Sequence, residues 1–503
     1  MPADGTVTPP SPLTLVTQDR FTIGAWLFLR LLALIHLVAF ASFWTQLEGL
    51  VGPHGLLPAT RYFNAVHQQI GASAYSALPS LCWWFGTGTF LHVLCAAGVA
   101  LSLLLFAGIA PAICLALLWA AYLSLSCAGQ IFFNFQWDAL LLETTLLAIF
   151  FAPWSLRPLW RTHEPPRIGR LLIAWLLFRL MFLAGVVKLA SGDPTWRDLS
   201  ALTFHYETQP LPTVLGWFAH QLPAWWQRAS CAGMFAIELL VPFFLFAPRS
   251  LRHNATVLTI ALMIAIAFTG NYTFFNFLAI ALCLVGLDDA FWRATIPPIA
   301  QVHFHVIREN VPKPRGAPRW IIGGCGAIIF YYTLVQALPA IGLKLGTPPG
   351  FQSLAHAVGP FRSLNNYGLF AVMTNPRPEL IFEGSDDSRD WRAYEFPHKP
   401  GALTRRPTWV APHQPRLDWQ LWFAALGSPQ QNPWVLAVCE HLLRGTPEVI
   451  GLLAENPFPQ KPPRFIRVVR YEYHFTDASS RRATGQWWRR TPMDFYVPSS
   501  SLK

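Results

Sequence analysis

Three side chains in the stretch Leu171–Pro212 are of the types that chemistry needs: Lys188, His205 and Glu207. A lysine drawn partly out of water has its charged form penalised. With a histidine and a carboxylate at the outer mouth of the same stretch, it makes a group of reactive side chains. Lys188 closes an apolar run that also carries Arg179, and His205 and Glu207 lie in the polar loop that follows, with Asp193, Trp196 and Tyr206. Ionisable groups at bilayer depth are costly, so they face protein or a wet cavity and commonly mark function. Lys188, His205 and Glu207 are therefore the catalytic candidates.

The elements around them must deal with that cost. Arg179 and Lys188 are nine residues apart, about 180° around a helix, so their helix must touch protein on both sides. Glu143, Glu238 and His36 lie in other apolar runs. Glu143 or Glu238 is expected to pair with Arg179 or Lys188, because an unpaired charge at that depth would be very unfavourable. Two outcomes stay open: structural ion pairs that fix helix register, or an outward-opening polar cavity with Lys188 near its floor.

Other chemistry lacks its residues. The chain contains no Walker loop, dinucleotide fingerprint, GxSxG or HExxH. His413 with Asp418 is not a triad, since no nucleophile of suitable context accompanies them. The eight cysteines show no CxxC and no Cys/His metal spacing, so neither a disulfide framework nor a metal site is expected, and no cofactor is implied. The small apolar cysteines read as packing residues.

With 53% apolar and only 13% charged residues, the 503-residue chain reads as a polytopic membrane protein with room for one further domain. Its net charge of +11 sits largely in short loops, where it signals topology rather than nucleic-acid binding. Nine spans are expected, near 22–44, 86–107, 109–130, 138–156, 170–191, 229–247, 254–270, 272–290 and 319–342. The basic loops holding Arg157, Arg161, Arg167 and Arg170, then Arg249 and Arg252, then Arg293, Arg308, Lys313, Arg315 and Arg319 fall on one side if the N-terminus is cytoplasmic. This gives a cytoplasmic tail over 1–21, a transmembrane helical domain over 22–342 and an extracytoplasmic domain over 345–503. Only six lysines occur among the 37 basic residues, a bias toward Arg that hints at a bacterial inner membrane.

From Pro348 the pattern changes to strand-like runs at 379–383, 391–396, 465–474 and 494–497, with a turn at Gly384–Asp387 and helices near 419–426 and 432–444. That reads as an α+β or β-sandwich-like domain. The runs Arg405–Trp409 and Pro412–Trp419 are dense in Arg, Trp and His, residue types enriched at binding hot spots. They supply client-binding candidates Arg405, Arg406, Trp409, His413, Arg416, Asp418 and Trp419, with Trp196 and Tyr206 from the earlier loop.

Several of these motifs resemble those of the lipase maturation factors. The resemblance rests on QIFFNFQWD at 130–138 with Glu143, on SGDPTWRDLSALTFHYETQPLP at 191–212, and on TGNY at 269–272. It continues through YGLFAVMT at 367–374, IFEG at 381–384 and the run 405–426. It implies a membrane-embedded folding factor whose C-terminal domain meets a client lipase, or another exported protein, on the lumenal or periplasmic side. Its partners would be that client and membrane lipid. It also makes the endoplasmic reticulum the alternative location, where the sequon at Asn271 would be a glycosylation site. A remoter similarity links Ala184–Leu189 and Trp196 to the membrane domain of vitamin K-dependent gamma-carboxylase, in which Lys188 matches a lysine thought to act as the base. The alternative function is thus an integral-membrane enzyme acting on a lipid, quinone or exported protein.

Overall fold

The computed structural model describes residues 20–158, 164–295, 318–343, 346 and 348–502. Most of the expected tail, and Arg161, Arg308, Lys313 and Arg315, lie outside these residues. All nine apolar segments are helical: α1 (Thr22–Trp44), α2 (Thr89–Ala107), α3 (Pro111–Ala128), α4 (Gln136–Phe151), α5 (Arg167–Ala190), α6 (Ala224–Leu239), α7 (Arg249–Thr269), α8 (Phe275–Leu284) and, after a short α9 (Asp289–Thr295), α10 (Arg319–Ala337). Helix is forced here, because lipid offers no partner for a backbone N–H or C=O.

Seven apolar helical stretches are long enough to cross a bilayer, α6 among them once the 3-10 helix Val241–Phe246 continues it. Helix α4 is shorter, at 16 residues. Helix α8 has 10 residues and turns by 110° into α9. Asp288 and Asp289 occupy that break. Asp289 accepts the N–H of Ile23 (2.8 Å), and Asp288 holds Arg249 (2.8 Å) and His253 (3.0 Å). The bend thus ties the start of α1 to the start of α7. Arg170 also lies over the Phe21 ring there, at 3.4 Å. Among the described residues, the basic side chains Arg170, Arg249 and Arg252 therefore gather at one end of the bundle.

Helix α1 runs through the interior, with Phe28, Leu32, Ala33, Phe40 and Phe43 fully buried. Gly98 allows α2 to approach it: a Cβ there would lie 2.2 Å from the Phe40 ring.

The C-terminal region forms one four-stranded antiparallel sheet of order β2-β1-β3-β4, from β1 (Pro378–Ser385), β2 (Arg392–Ala393), β3 (Phe465–Phe475) and β4 (Trp488–Ser500). Helices α11 (Arg416–Ala425) and α12 (Trp434–Arg444) complete it. A single sheet makes the domain α+β rather than a sandwich. The turn is wider than expected, since Gly384 pairs with Arg392 and Asp387 caps the backbone of Arg389 and Asp390 inside the loop. One apolar cluster runs from Ala25 in α1 to Leu380, Trp419, Val438 and Val497, so bundle and C-terminal domain share a core. The domain sits on the end of the bundle opposite the basic loops, against the last turns of α1 and α7 and the segment before α4.

Gly98→Val should disrupt the α1–α2 contact and lower stability by about 1–3 kcal/mol, as overpacking does. Thermal unfolding in detergent checks this; an unchanged midpoint would show that the helices can part at no cost.

Candidate functional site

The groups with chemical potential line the seam between bundle and C-terminal domain. Inside the helical bundle Glu143 of α4 pairs with Arg179 of α5. The same carboxylate accepts from the Tyr367 hydroxyl (2.7 Å) and the Asn365 N–H (3.0 Å), and Arg179 donates to the Asn365 carbonyl (2.8 Å). A segment leading into the C-terminal domain thus completes an intramembrane ion pair.

Lys188 sits at the C-terminal end of α5 and Glu238 at that of α6, and they meet because Gly185 lets the two helices close. Lys188 Nζ donates to Glu238 Oε2 (2.7 Å), Glu238 Oε1 (2.9 Å) and the Ala184 carbonyl (3.3 Å). Its three protons therefore have three acceptors. The ammonium also lies 5.4 Å from the centre of the Trp196 ring. Trp196 is buried and donates to the Phe370 carbonyl (3.0 Å), and Asp193 accepts the Met373 N–H (2.6 Å). An open crevice of about 510 Å³ lies elsewhere, between the loop holding His54 and Arg61 and the segment Ala437–Glu448.

His205 is packed against Phe370 and sits 3.2 Å from the Tyr272 hydroxyl. Burial, and then the Lys188 charge, push its pKa down to about 4. Glu207 does not reach into this group. Its carboxylate accepts the Phe475 N–H (2.9 Å) and faces His474 (3.3 Å) and His220 (3.8 Å). Beside it Arg377, wholly buried, donates to the carbonyls of Glu207 (2.6 Å), Gln209 and Pro210 (3.0 Å) and to Glu379 (2.8 Å). The loop between α5 and α6 is thereby bonded to β1 and β3.

A second clasp is made by Arg416. It spans Asp138 with two bonds (3.0 and 3.1 Å), reaches the Phe132 carbonyl, and stacks on the Phe133 ring at 3.5 Å. Tyr122 of α3 donates to the same carboxylate at 2.5 Å. Burial of a charge without such partners would cost several kcal/mol. Asn271 makes a third clasp, donating to the carbonyls of Leu211 (3.1 Å) and Thr408 (2.8 Å) and accepting from Val410 (2.7 Å) and Ala411 (3.1 Å). Its amide nitrogen is buried and bonded within the fold.

The other sequence candidates divide by exposure. Tyr206, Arg416, Asp418 and Trp419 are buried, as Trp196 is. Trp419 packs on Trp137 at 4.6 Å, and Asp418 accepts the N–H groups of His398 (2.7 Å) and Lys399 (2.8 Å). His413 lies 2.9 Å from Ser42 of α1, and Arg405 bonds Glu395 (3.3 Å) and the carbonyls of Phe396 and Pro397. Arg406 and Trp409 alone in this set stay largely exposed. The dense Arg/Trp/His runs therefore face inward, for a physical reason: buried backbone carbonyls of the loops need donors, and Arg supplies five. Asn365, Tyr367, Arg377 and Asp138 escaped the reading as site residues. Asp138 stood in a quoted motif, but no local spacing signals a partner some 280 residues away.

A family model described as the lipase maturation factor transmembrane domain matches residues 23–294, and one described as the C-terminal domain matches 363–498. The chain belongs to the lipase maturation factor family. It is 36% identical to human lipase maturation factor 2 over 95% of this chain and 82% of that protein. It is 34% identical to mouse lipase maturation factor 1 over 98% of this chain and 89% of that protein. No solved structure matches it. Among the described residues no three His, Cys, Asp or Glu side chains are placed to hold a metal ion.

Breaking one partner of the family seam should be costlier than removing both. Arg416→Met, which strands Asp138, should destabilise by about 3–5 kcal/mol, with Arg416→Met/Asp138→Leu recovering part of it. Limited proteolysis between bundle and C-terminal domain reads the outcome; equal resistance of the single variant and the parent would refute the clasp.

The seam also sets a pH response. His205, His398 and His413 are each pushed down to about 4, chiefly by burial. An unfolded histidine takes its proton near pH 6.5, so the unfolded chain gains protons that the folded chain refuses. Stability from these three is whole above about pH 6.5 and declines as the pH falls toward 4. Melting midpoints across that window should fall, and His398→Gln/His413→Gln should flatten the slope. A slope unaltered by the double change would count against this assignment.

Proposed function

We propose that this chain is a membrane-embedded maturation factor for secreted or exported lipases, acting as a folding platform at the end of the bundle that carries the C-terminal domain. Both named relatives are lipase maturation factors and are matched over most of their length. The observation that carries the mechanism is the commitment of Lys188, His205 and Glu207 to bonds and packing within the chain. Those bonds support reading the three as parts of a rigid platform and weigh against the membrane-enzyme alternative, in which Lys188 would act as a base. A partly folded lipase exposes apolar surface, and exposed Met493 and Phe495 on the edge strand β4 offer such surface a partner.

The basic loops at the opposite end favour a cytoplasmic position for that end. The C-terminal domain then faces the lumen of the endoplasmic reticulum in a eukaryotic cell, or the periplasm in a bacterium.

The test is removal of this chain from a cell that secretes a lipase. Lipase activity in the medium should fall far more than lipase protein made, and it should be restored by the parent chain and by Lys188→Met/Glu238→Leu. If every secreted lipase keeps its activity, the maturation reading is wrong. If the double variant folds and inserts normally but restores nothing, the enzyme reading takes its place.

A further inference from the structure

Trp409 is the exception in its neighbourhood. Its flanking residues Pro407 and Val410 are buried, yet Trp409 is 52% exposed. Three of the bonds of Asn271 hold the backbone of Thr408, Val410 and Ala411 around it. Among the described residues its one ring neighbour is Phe268, edge to face at 5.4 Å. Phe268 belongs to the last turn of α7, a helix able to cross the bilayer, and is itself 46% exposed.

That contact fixes a depth. A side chain touching the final turn of a spanning helix lies where headgroups meet acyl chains. The surface continues on the short helix Val214–His220. Thr213 donates to the Phe268 carbonyl (3.0 Å), Gly216 packs against the Thr269 carbonyl, and Leu215 and Phe218 point outward. Three separate segments therefore bring four exposed apolar side chains together around the end of α7. Exposed Arg406 lies three residues before Trp409 in the same loop. Tryptophan favours this interface because its ring is apolar and its N–H is wet, and Arg favours anionic headgroups.

We infer that the loop Arg405–Ala411 is a lipid-surface anchor, by which the C-terminal domain rests on the bilayer through Trp409 at the acyl boundary and Arg406 at the headgroups. The partner is the membrane surface itself, not a client protein. The anchor would hold the domain at a fixed height and tilt over the bundle whatever the client is.

The experiment uses the full chain in vesicles of phosphatidylcholine and phosphatidylglycerol. A Cys325→Ser background removes the one cysteine that is not buried, and Trp409→Cys carries a nitrobenzoxadiazole probe. Lipid spin-labelled near the top of the acyl chain should quench the probe, and aqueous iodide should not. A probe at Arg406→Cys should respond instead to a headgroup spin label. Iodide quenching at 409 with no loss from either spin-labelled lipid would overturn the anchor and return Trp409 to the protein-facing surface. If Trp409→Cys fails to insert, the Arg406→Cys probe decides alone: headgroup quenching supports the anchor, and iodide quenching without it refutes the anchor.

Discussion

Charge in a low-dielectric interior must be paired, and in this chain the partners come from different parts of the sequence. Glu143 with Arg179, Lys188 with Glu238 and Asp138 with Arg416 each join two elements. The first two fix how α5 sits between α4 and α6. The third fixes how the C-terminal domain sits on the bundle. Because losing either member leaves a buried charge unsatisfied, each pair constrains position more strongly than apolar contact alone could.

The same constraint explains the crowding of donors at the seam. The loops before α4 and after α5 present carbonyls that no helix or sheet satisfies, at a depth where water is scarce. Arg377 and Arg416 answer them from the C-terminal domain, and Asn271 does so from the turn after α7. A buried polar group without such a partner costs more than the bond itself returns, so each of these donors contributes to holding the seam. Bundle and domain consequently share one apolar core and one polar network, and a client would meet them as a single body.

Much of this architecture was legible from composition and periodicity. Apolar runs of spanning length became helices, because lipid leaves the backbone no other choice. Alternating runs after Pro348 became strands, and the cost of intramembrane charge pointed to pairing among Glu143, Arg179, Lys188 and Glu238. Length was read less well where a break intervened: Asp288 and Asp289 end α8 early by bonding to α1 and α7. The Arg and Trp runs of the C-terminal domain have the composition of a binding surface. Arg416, Asp418 and Trp419 nonetheless lie inside, since the same donors that suit a partner also suit buried carbonyls.

The sequence by itself therefore determined a multi-pass helical bundle, a following strand-containing domain and the family, because hydropathy, strand alternation and short motifs are local properties. It also determined that certain charges must find partners. Only the tertiary structure decided which partners those are, that Lys188 is held by Glu238, that Asn271 is a buried clasp, and that Trp409 remains outside at the last turn of a spanning helix. Those outcomes depend on residues far apart in sequence being brought to one depth and one side. Local spacing carries no information about that.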